Sequence, residues 1–232
     1  MKTVVNKTDS ISNEFRVFPM EVVAGTADTR VKLKESGCIF QFDFAQTYWN
    51  SRLNTEHSRI IAACHKGEVI VDLMCGVGPF AIPLAKKQCT VHANDLNPAS
   101  YKYLVDNAKL NKVQSFLKAS NLDARTCWQA LLSPEIPIKH VIMNLPASAI
   151  DFLDIIPESD GILSEPFTVH CYTFAKNEDE VIPAASRVMQ LDLQATADNV
   201  RVREVRNVAP NKTNFVLEFQ WNPRRHSKRH KH

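Results

Sequence analysis

The sequence predicts an α/β protein built on a doubly wound, mostly parallel sheet whose last strand is antiparallel. From Glu68 onward, strand-like and helix-like segments alternate, which is the pattern of parallel strands joined by crossover helices. Strand candidates such as EVIVDLM (68–74) are continuous apolar runs, as expected for strands covered on both faces. Residues 207–212 are too short a connection for a crossover, so the two strands that flank them should pair antiparallel.

A different pattern precedes the α/β region. Between residues 15 and 50, short extended runs are broken by turn signals, which predicts a small antiparallel β subdomain. In CIFQFDFA, Phe40, Phe42 and Phe44 alternate with other residues, so one face of this strand should be buried. The chain is therefore divided into a polar leader (1–14), the β subdomain (15–50), an α/β domain (51–222) and a basic tail (223–232).

Each element of the α/β domain follows from a local signal. Asn54 or Thr55 can cap a first helix, and Asn97-Pro98 opens another, because proline suits the first helical turn. The predicted strands are EVIVDLM (68–74), TVHANDL (90–96), VQSFLKAS (113–120), HVIMNL (140–145), FTVHCYTFA (167–175), NVRVREVRNVA (199–209) and NFVLEFQW (214–221). Further helices are predicted after CGVGPF through Ala85, over 124–132, from Ser148 and over 179–193.

Composition excludes several classes of protein. The chain is 44% hydrophobic and 23% charged, as in a soluble globular protein, and it has no apolar run long enough for a membrane span. Its N-terminus lacks a secretion or transit signal, so we expect an intracellular protein, most simply cytoplasmic, with the nucleus or mitochondrial matrix as alternatives. The six cysteines are scattered without zinc-type spacing, which argues against disulfides and a structural metal (Cys38, Cys64, Cys75, Cys89, Cys127, Cys171).

The net charge of +3 comes from the C-terminal tail. Without its five basic residues, 23 basic side chains remain against 25 acidic ones, so the body is nearly neutral. A basic tail can contact nucleic-acid phosphates, but a solvated terminus that aids solubility explains the same composition, and both interpretations stay open. The five residues are Arg224, Arg225, Lys228, Arg229 and Lys231.

The first candidate binding motif is VDLMCGVGPF. Gly76 and Gly78 lie between a buried strand and a helix, where backbone N–H groups and a helix N-terminus can approach a ligand closely. The spacing does not match the dinucleotide fingerprint, and Asp72 lies inside the strand end. This loop favours a ligand with an amino-acid end over a pyrophosphate. The alternative is a pair of turn glycines with no ligand.

Two further strand ends carry acidic residues. Asp95 ends the second strand of the α/β domain, where a carboxylate can accept hydrogen bonds from ribose hydroxyls. Asp123 follows the third strand and can accept from an adenine amine, while the Ala124 backbone N–H faces a ring nitrogen. A plain helix N-cap is an equally good explanation of Asp123. With the glycine loop, these residues predict a nucleoside ligand.

At this level the chain resembles class I S-adenosylmethionine-dependent methyltransferases. In several of these enzymes an Asn-x-Pro motif ends the fourth strand and holds a planar base at the methyl group. Here Asn144-Leu145-Pro146 occupies that position in HVIMNLPASAID. An amide offers both a donor and an acceptor to a base edge, and proline fixes the turn. A strand-ending turn without a ligand is the competing interpretation.

A closer resemblance rests on longer stretches. The chain looks like the archaeal and eukaryotic tRNA (guanine-N1)-methyltransferases that modify the guanosine 3′ of the anticodon (position 37), over roughly residues 17–218. The resemblance is carried by FDFAQTYWNSRLNTEH, VIVDLMCGVGPFAIPLAKK, HANDLNPASYKYLVDNAKLNKV, HVIMNLPASAIDFL, VHCYTFAKNEDE and VRNVAPNK. It implies methyl transfer from S-adenosyl-L-methionine to guanine N1 of tRNA, without a metal or a membrane, by a monomer.

The resemblance also implies roles for individual residues. It makes Glu56 the general base that removes the N1 proton, and Arg52 the support for negative charge on the base. It assigns Tyr48, Asn144 and Pro146 to the base pocket. His57 then approaches the cofactor, whose ribose and adenine are surrounded by Asp95, Leu96, Asp123 and Ala124. Without the resemblance, the preferred explanation of Glu56 is a first-turn acid that stabilises a helix N-terminus.

One departure and two alternatives accompany the resemblance. Family members carry a further N-terminal domain that binds the outer corner of the tRNA, and the sequence analysed contains no counterpart, which predicts weak tRNA binding or altered substrate recognition. One alternative is the related aminocarboxypropyl transferase of wybutosine synthesis. The other is a catalytically silent partner subunit that binds the cofactor.

Overall fold

The structure is a computed structural model that describes residues 3–8 and 19–226. Its centre is a seven-stranded sheet in the order β10-β11-β9-β8-β5-β6-β7. Strand β11 is antiparallel to both of its neighbours, and the pairs among β5 to β9 are parallel. The fold class expected from the sequence is confirmed. The strands are β5 (Val69–Asp72), β6 (Thr90–Asn94), β7 (Leu117–Ser120), β8 (Ile138–Met143), β9 (Phe167–Ala175), β10 (Asp198–Ala209) and β11 (Lys212–Trp221).

Helices connect these strands. From β5 the sheet is extended by β6 and β7 on one side and by β8 and β9 on the other, so the strand order reverses between β5 and β8. In open α/β sheets, ligands bind at such a switch point. The helices are α1 (Asn54–Ala63), α2 (Ala81–Lys86), α3 (Pro98–Leu110), α4 (Ala124–Leu131), α5 (Val181–Met189), α6 (Leu193–Thr196) and α7 (Pro223–His226).

Two predicted helices take a different form. The helix expected from Ser148 is a 3-10 helix over Ala149–Ser159, which includes Pro157. Proline removes a backbone donor, so a regular α-helix is unfavourable there. The single helix expected over 179–193 is interrupted, because Gln190 ends α5 in a left-handed conformation with φ 53° before α6 begins.

Two small antiparallel sheets precede the main sheet. Strand β1 (Thr3–Lys7) pairs with β2 (Met20–Gly25), so the polar leader expected over 1–14 contributes a strand. Strand β3 (Arg30–Glu35) pairs with β4 (Cys38–Asp43) through a turn at Ser36 and Gly37, both with positive φ, as in type I′ hairpins. Residues 9–18 of the expected leader and β subdomain, and 227–232 of the basic tail, lie outside the described residues.

The β3–β4 hairpin packs on one face of the main sheet. Phe40 and Phe42 are buried with Trp49 and Phe80, which confirms the alternation expected in this strand. Helix α3 supplies a hydrogen-bond partner to the free edge of β4. The Asn107 side chain on this helix accepts a hydrogen bond from the Gln41 backbone N–H at 2.8 Å. The hairpin is thereby held against the α/β domain. No helix among the described residues is long and apolar enough to cross a membrane.

Candidate cofactor and base-binding site

A cavity of about 490 Å³ opens at the carboxyl ends of β5, β6 and β8. Its volume falls within the range of small-molecule sites, roughly 300–1,000 Å³. Residues predicted from the sequence contribute to its wall from five separate segments. These are Tyr48, His57, Gly76, Asp95, Leu96, Asp123, Ala124, Asn144 and Pro146. Arg52, Glu56, Asp72 and Gly78 do not form part of this lining.

The glycine loop is braced by Asp95. The Gly76 backbone N–H donates to Asp95 Oδ2 at 2.7 Å, and the Asn97 N–H donates to Oδ1 at 2.9 Å. Burial raises the pKa of Asp95 even though these hydrogen bonds oppose the shift. A Cβ on Gly78 would lie 2.7 Å from Ile82 Cγ1, so Gly78 permits close packing of the loop on α2. Asp95 therefore shapes the loop and also faces the cavity.

Asp72 lies behind the cavity. Its side chain is completely buried, and neither carboxyl oxygen has a hydrogen-bond partner of good geometry among the described residues. Burial, followed by the nearby Asp95, raises the pKa of Asp72 well above its ordinary value. Burial therefore disfavours the ionised form of Asp72 beneath the loop, because an isolated buried carboxylate is unfavourable.

The structure shows Asp123 as a helix N-cap. Its side chain accepts hydrogen bonds from the Arg125 and Thr126 backbone N–H groups, so it caps α4 as a helix N-cap does. Asp123 also lines the cavity with Leu96 and Ala124. The helix cap fixes the position of this carboxylate at the cavity wall, and its contact with an adenine amine stays a prediction.

Asn144, Pro146, Phe174 and Asn214 also line the cavity. The Phe174 backbone N–H donates to the Pro146 carbonyl at 2.9 Å, which ties the loop after β8 to β9. The Oδ1 atoms of Asn144 and Asn214 are buried and have no hydrogen-bond partner among the described residues. Asn214 on β11 was not predicted from the sequence, because only the sheet pairing brings it opposite Phe174.

Glu56 is buried beside the cavity and held by two partners. Arg59 donates to both carboxylate oxygens, at 2.7 and 2.9 Å, and the Tyr172 hydroxyl donates to Oε1 at 2.8 Å. Burial alone would raise the pKa of Glu56, but these hydrogen bonds outweigh it and lower the pKa. Glu56 is consequently ionised at neutral pH. Arg52 is exposed, one helical turn before Glu56.

A chain of polar side chains extends from Arg59 through the sheet. Arg59 donates to Glu218 at 3.0 Å, Glu218 pairs with His170 Nδ1 at 2.6 Å, and His170 Nε2 lies 2.9 Å from His140 Nδ1. Burial would raise the pKa of Glu218, yet His170 and Arg59 lower it to about 2. Because Glu218 is a carboxylate, His170 Nδ1 donates to it, and one proton is shared between His170 Nε2 and His140 Nδ1.

The stability of the protein should depend on pH through His140. Burial, followed by His170, lowers the pKa of His140 from 6.5 to about 4. At a pH between these two pKa values, His140 is therefore protonated in the unfolded chain and neutral in the folded chain. The free energy of unfolding should rise by about 3 kcal/mol from this residue as the pH increases across that window.

Denaturant unfolding of the wild type and His140→Asn at several pH values would measure this contribution. The difference in unfolding free energy between the two proteins should grow from pH 4 to pH 6.5. Parallel pH curves for the wild type and His140→Asn would contradict the assignment.

One compact group contains three potential metal ligands. Possible ligand atoms of Cys64, Glu68 and His140 all lie within 4.8 Å of one another. Burial raises the pKa of the Cys64 thiol to about 12, so the sulfur is protonated at neutral pH. A metal ligand is the thiolate, and structural zinc sites use four ligands. The group offers three ligand residues in the described part of the chain, one fewer than a structural zinc site uses.

Unpaired polar atoms concentrate at the cavity. Trp49 Nε1, His57 Nε2 and the Oδ1 atoms of Asn144 and Asn214 are buried without a hydrogen-bond partner in the described chain, and all four residues line the cavity. Buried polar groups are nearly always paired in folded proteins, so these atoms indicate a polar ligand. The sheet order, the glycine loop and the acidic strand end together define a Rossmann-like methyltransferase domain.

A model of the TRM5/TYW2 methyltransferase domain matches residues 31–203, and the chain belongs to this family. The tRNA (guanine(37)-N(1))-methyltransferase of Phytophthora infestans is 46% identical over 95% of this chain and 54% of its own length. The Danio rerio protein of the same name is 44% identical, with 93% and 48% covered. The chain thus spans about half the length of the curated relatives it matches.

Solved structures agree with this family. The chain aligns with aTrm5 from its complex with tRNALeu at a TM-score of 0.78 and 30% identity, covering 95% of this chain and 61% of that one. It also aligns with M. jannaschii TYW2 in complex with AdoMet at a TM-score of 0.70 and 26% identity, covering 87% of this chain and 89% of the other.

Proposed function

We propose that this chain transfers a methyl group from S-adenosyl-L-methionine to N1 of the guanosine 3′ of the anticodon in tRNA. The observation that carries the proposal is the single cavity into which β5, β6 and β8 bring the glycine loop, Asp95 and Asn144-Leu145-Pro146. The names of the curated relatives and the tRNA complex of aTrm5 support the same substrate. The proposal includes a monomeric, intracellular enzyme that works in the cytoplasm.

The donor fits one half of the cavity. Asp95 would accept hydrogen bonds from the ribose, and Asp123 and the Ala124 N–H would bind the adenine beside Leu96. Gly76 leaves open space for the amino-acid end, since a Cβ there would have no atom within 4 Å. Asp72 and Gly78 would act through the loop that they support. When bound, the sulfonium supplies an electrophilic methyl group that needs no metal.

The other half fits a purine. Asn144 and Asn214 offer amide groups with unpaired oxygens, and Tyr48 and Pro146 line the same cavity. These side chains would hold the guanine in line with the methyl group, because alignment lowers the barrier to transfer. Arg52, exposed at the start of this region, would neutralise the negative charge that develops on the base.

Glu56 would act as the general base. Guanine N1 carries a proton and is a poor nucleophile until this proton leaves, and Glu56 is ionised and therefore able to accept it. In the structure the carboxylate is turned toward Arg59 and Tyr172. Proton transfer requires the carboxylate to turn from these partners toward the bound base. Arg59 would keep Glu218 as an ion-pair partner when Glu56 turns.

The test uses two full-length tRNA transcripts that differ only in having guanosine or adenosine 3′ of the anticodon. Methyl-labelled S-adenosyl-L-methionine should label the guanosine transcript alone, with reverse-transcription arrest at that nucleotide. A second donor preparation, labelled in its carboxyl group, separates the aminocarboxypropyl transferase alternative, because only that reaction transfers this label. Donor binding without transfer to either transcript would contradict the proposal and favour a silent partner subunit.

A further inference from the structure

His57 and Glu35 form a buried pair at the wall of the cavity. Glu35 ends β3, and its Oε1 lies 2.6 Å from His57 Nδ1. The His57 side chain is 3% exposed and the Glu35 side chain 9% exposed. The pair joins the β3–β4 hairpin to helix α1, and His57 also belongs to the cavity lining.

The hydrogen bond to Glu35 decides which ring nitrogen carries the proton. A carboxylate only accepts hydrogen bonds, so Nδ1 of His57 donates. In the neutral ring, Nε2 then carries a lone pair and is an acceptor. Nε2 is buried and has no hydrogen-bond partner in the part of the chain that the structure describes. The partner of this acceptor therefore lies outside the described residues.

The position of His57 indicates which end of the ligand this residue contacts. Its ring meets the Phe80 ring edge-on, with centroids 4.7 Å apart, and Cys75 and Gly76 of the glycine loop line the same cavity. His57 is therefore near the loop that favours an amino-acid end. With a lone pair on Nε2 and the negative charge of Glu35 behind the ring, this tautomer suits a cationic donor, whereas a carboxylate would face the lone pair.

We propose that His57 Nε2 accepts a hydrogen bond from the α-ammonium group of the donor, and that Glu35 is the positioning residue that fixes this tautomer. The inference rests on the proposed use of S-adenosyl-L-methionine. It adds Glu35 to the site and gives His57 one defined contact. The β3–β4 hairpin then takes part in cofactor binding, because it carries Glu35.

Calorimetry with three thioadenosines tests this contact at slightly alkaline pH. The ligands are S-adenosylhomocysteine, its analogue with a 3-carboxypropyl group, which lacks the amine, and its analogue with a 3-aminopropyl group, which lacks the carboxylate. Removal of the amine should weaken binding to the wild type roughly 10- to 100-fold, as expected for a charge-assisted hydrogen bond. In His57→Phe this penalty should fall below about threefold, because the acceptor is gone.

Glu35→Gln provides a second variant that keeps the shape of the pair, and the penalty for amine removal should fall there too. Glu178→Gln, an exposed substitution of the same type, is the matched control and should keep the wild-type penalty. An unchanged amine penalty in both His57→Phe and Glu35→Gln would overturn the assignment. A reduced penalty for the carboxylate instead would also overturn it. Absence of S-adenosylhomocysteine binding to the wild type would refute the proposed cofactor itself.

Discussion

Replacing Glu56 by glutamine should lower the rate of methyl transfer to tRNA by about 10²–10⁴-fold, the usual contribution of a general base. Glutamine has nearly the same shape and can still accept hydrogen bonds from Arg59 and Tyr172, but it cannot remove the N1 proton. The affinity for S-adenosylhomocysteine should stay unchanged, because Glu56 does not line the cavity. Single-turnover transfer and calorimetry measure the two quantities separately.

The network around Glu56 requires a stability control. Loss of its charge leaves Arg59 with Glu218 as its remaining ion-pair partner, so the unfolding of the variant should be measured at the temperature of the assay. Tyr172→Phe removes the other hydrogen bond to Glu56 while the carboxylate remains, and should retain most activity. A wild-type transfer rate in Glu56→Gln would eliminate Glu56 as the base.

Replacing Asp95 by alanine should weaken donor binding by about 10²–10³-fold. The substitution removes a ribose acceptor and also releases the Gly76 and Asn97 N–H groups, and each charge-assisted hydrogen bond contributes about 1.5–3 kcal/mol. The affinity for tRNA in the absence of donor should be unaffected. Calorimetry with S-adenosylhomocysteine and a filter-binding assay with tRNA measure the two affinities.

Asp179→Ala is the matched control for Asp95→Ala, because Asp179 is exposed in the 3-10 helix Glu178–Glu180. It should bind S-adenosylhomocysteine as the wild type does. Thermal unfolding of both variants shows whether the loop alone or the whole domain is affected. Donor affinity in Asp95→Ala within threefold of the wild type, on the order of 0.6 kcal/mol, would refute the role of Asp95.

Several features of the site were not predictable from the sequence, and the reason is distance along the chain. Glu35 and His57 are 22 residues apart, and Arg59 meets Glu218 at a separation of 159 residues. Neither pair belongs to a local motif. Asn214 is similar, because its position opposite Phe174 depends on how β11 pairs with β9. Such contacts exist only after the sheet has assembled.

Local context also decided the form of two helices. The residues after Ser148 have a helical pattern, but they form a 3-10 helix. This helix contains Pro157, and its Leu153 and Ile156 side chains are buried in the core. In the region 179–193, Gln190 adopts a left-handed conformation that ends α5. The polarity of this residue does not predict that conformation. Hydrophobic periodicity gives the buried face of a segment but does not specify its hydrogen-bond pattern.

The sequence by itself determined the alternating α/β order, the antiparallel end of the sheet and the strand-end motifs at Gly76, Asp95 and Asn144. These depend on period, on turn residues and on local spacing, which are properties of neighbouring residues. Only the tertiary structure decided that Glu56 is bound by Arg59 and Tyr172, and that His57 Nε2 is left without a protein partner. Hydrogen bonding and burial of one side chain depend on residues from several distant segments, and folding alone brings those segments together.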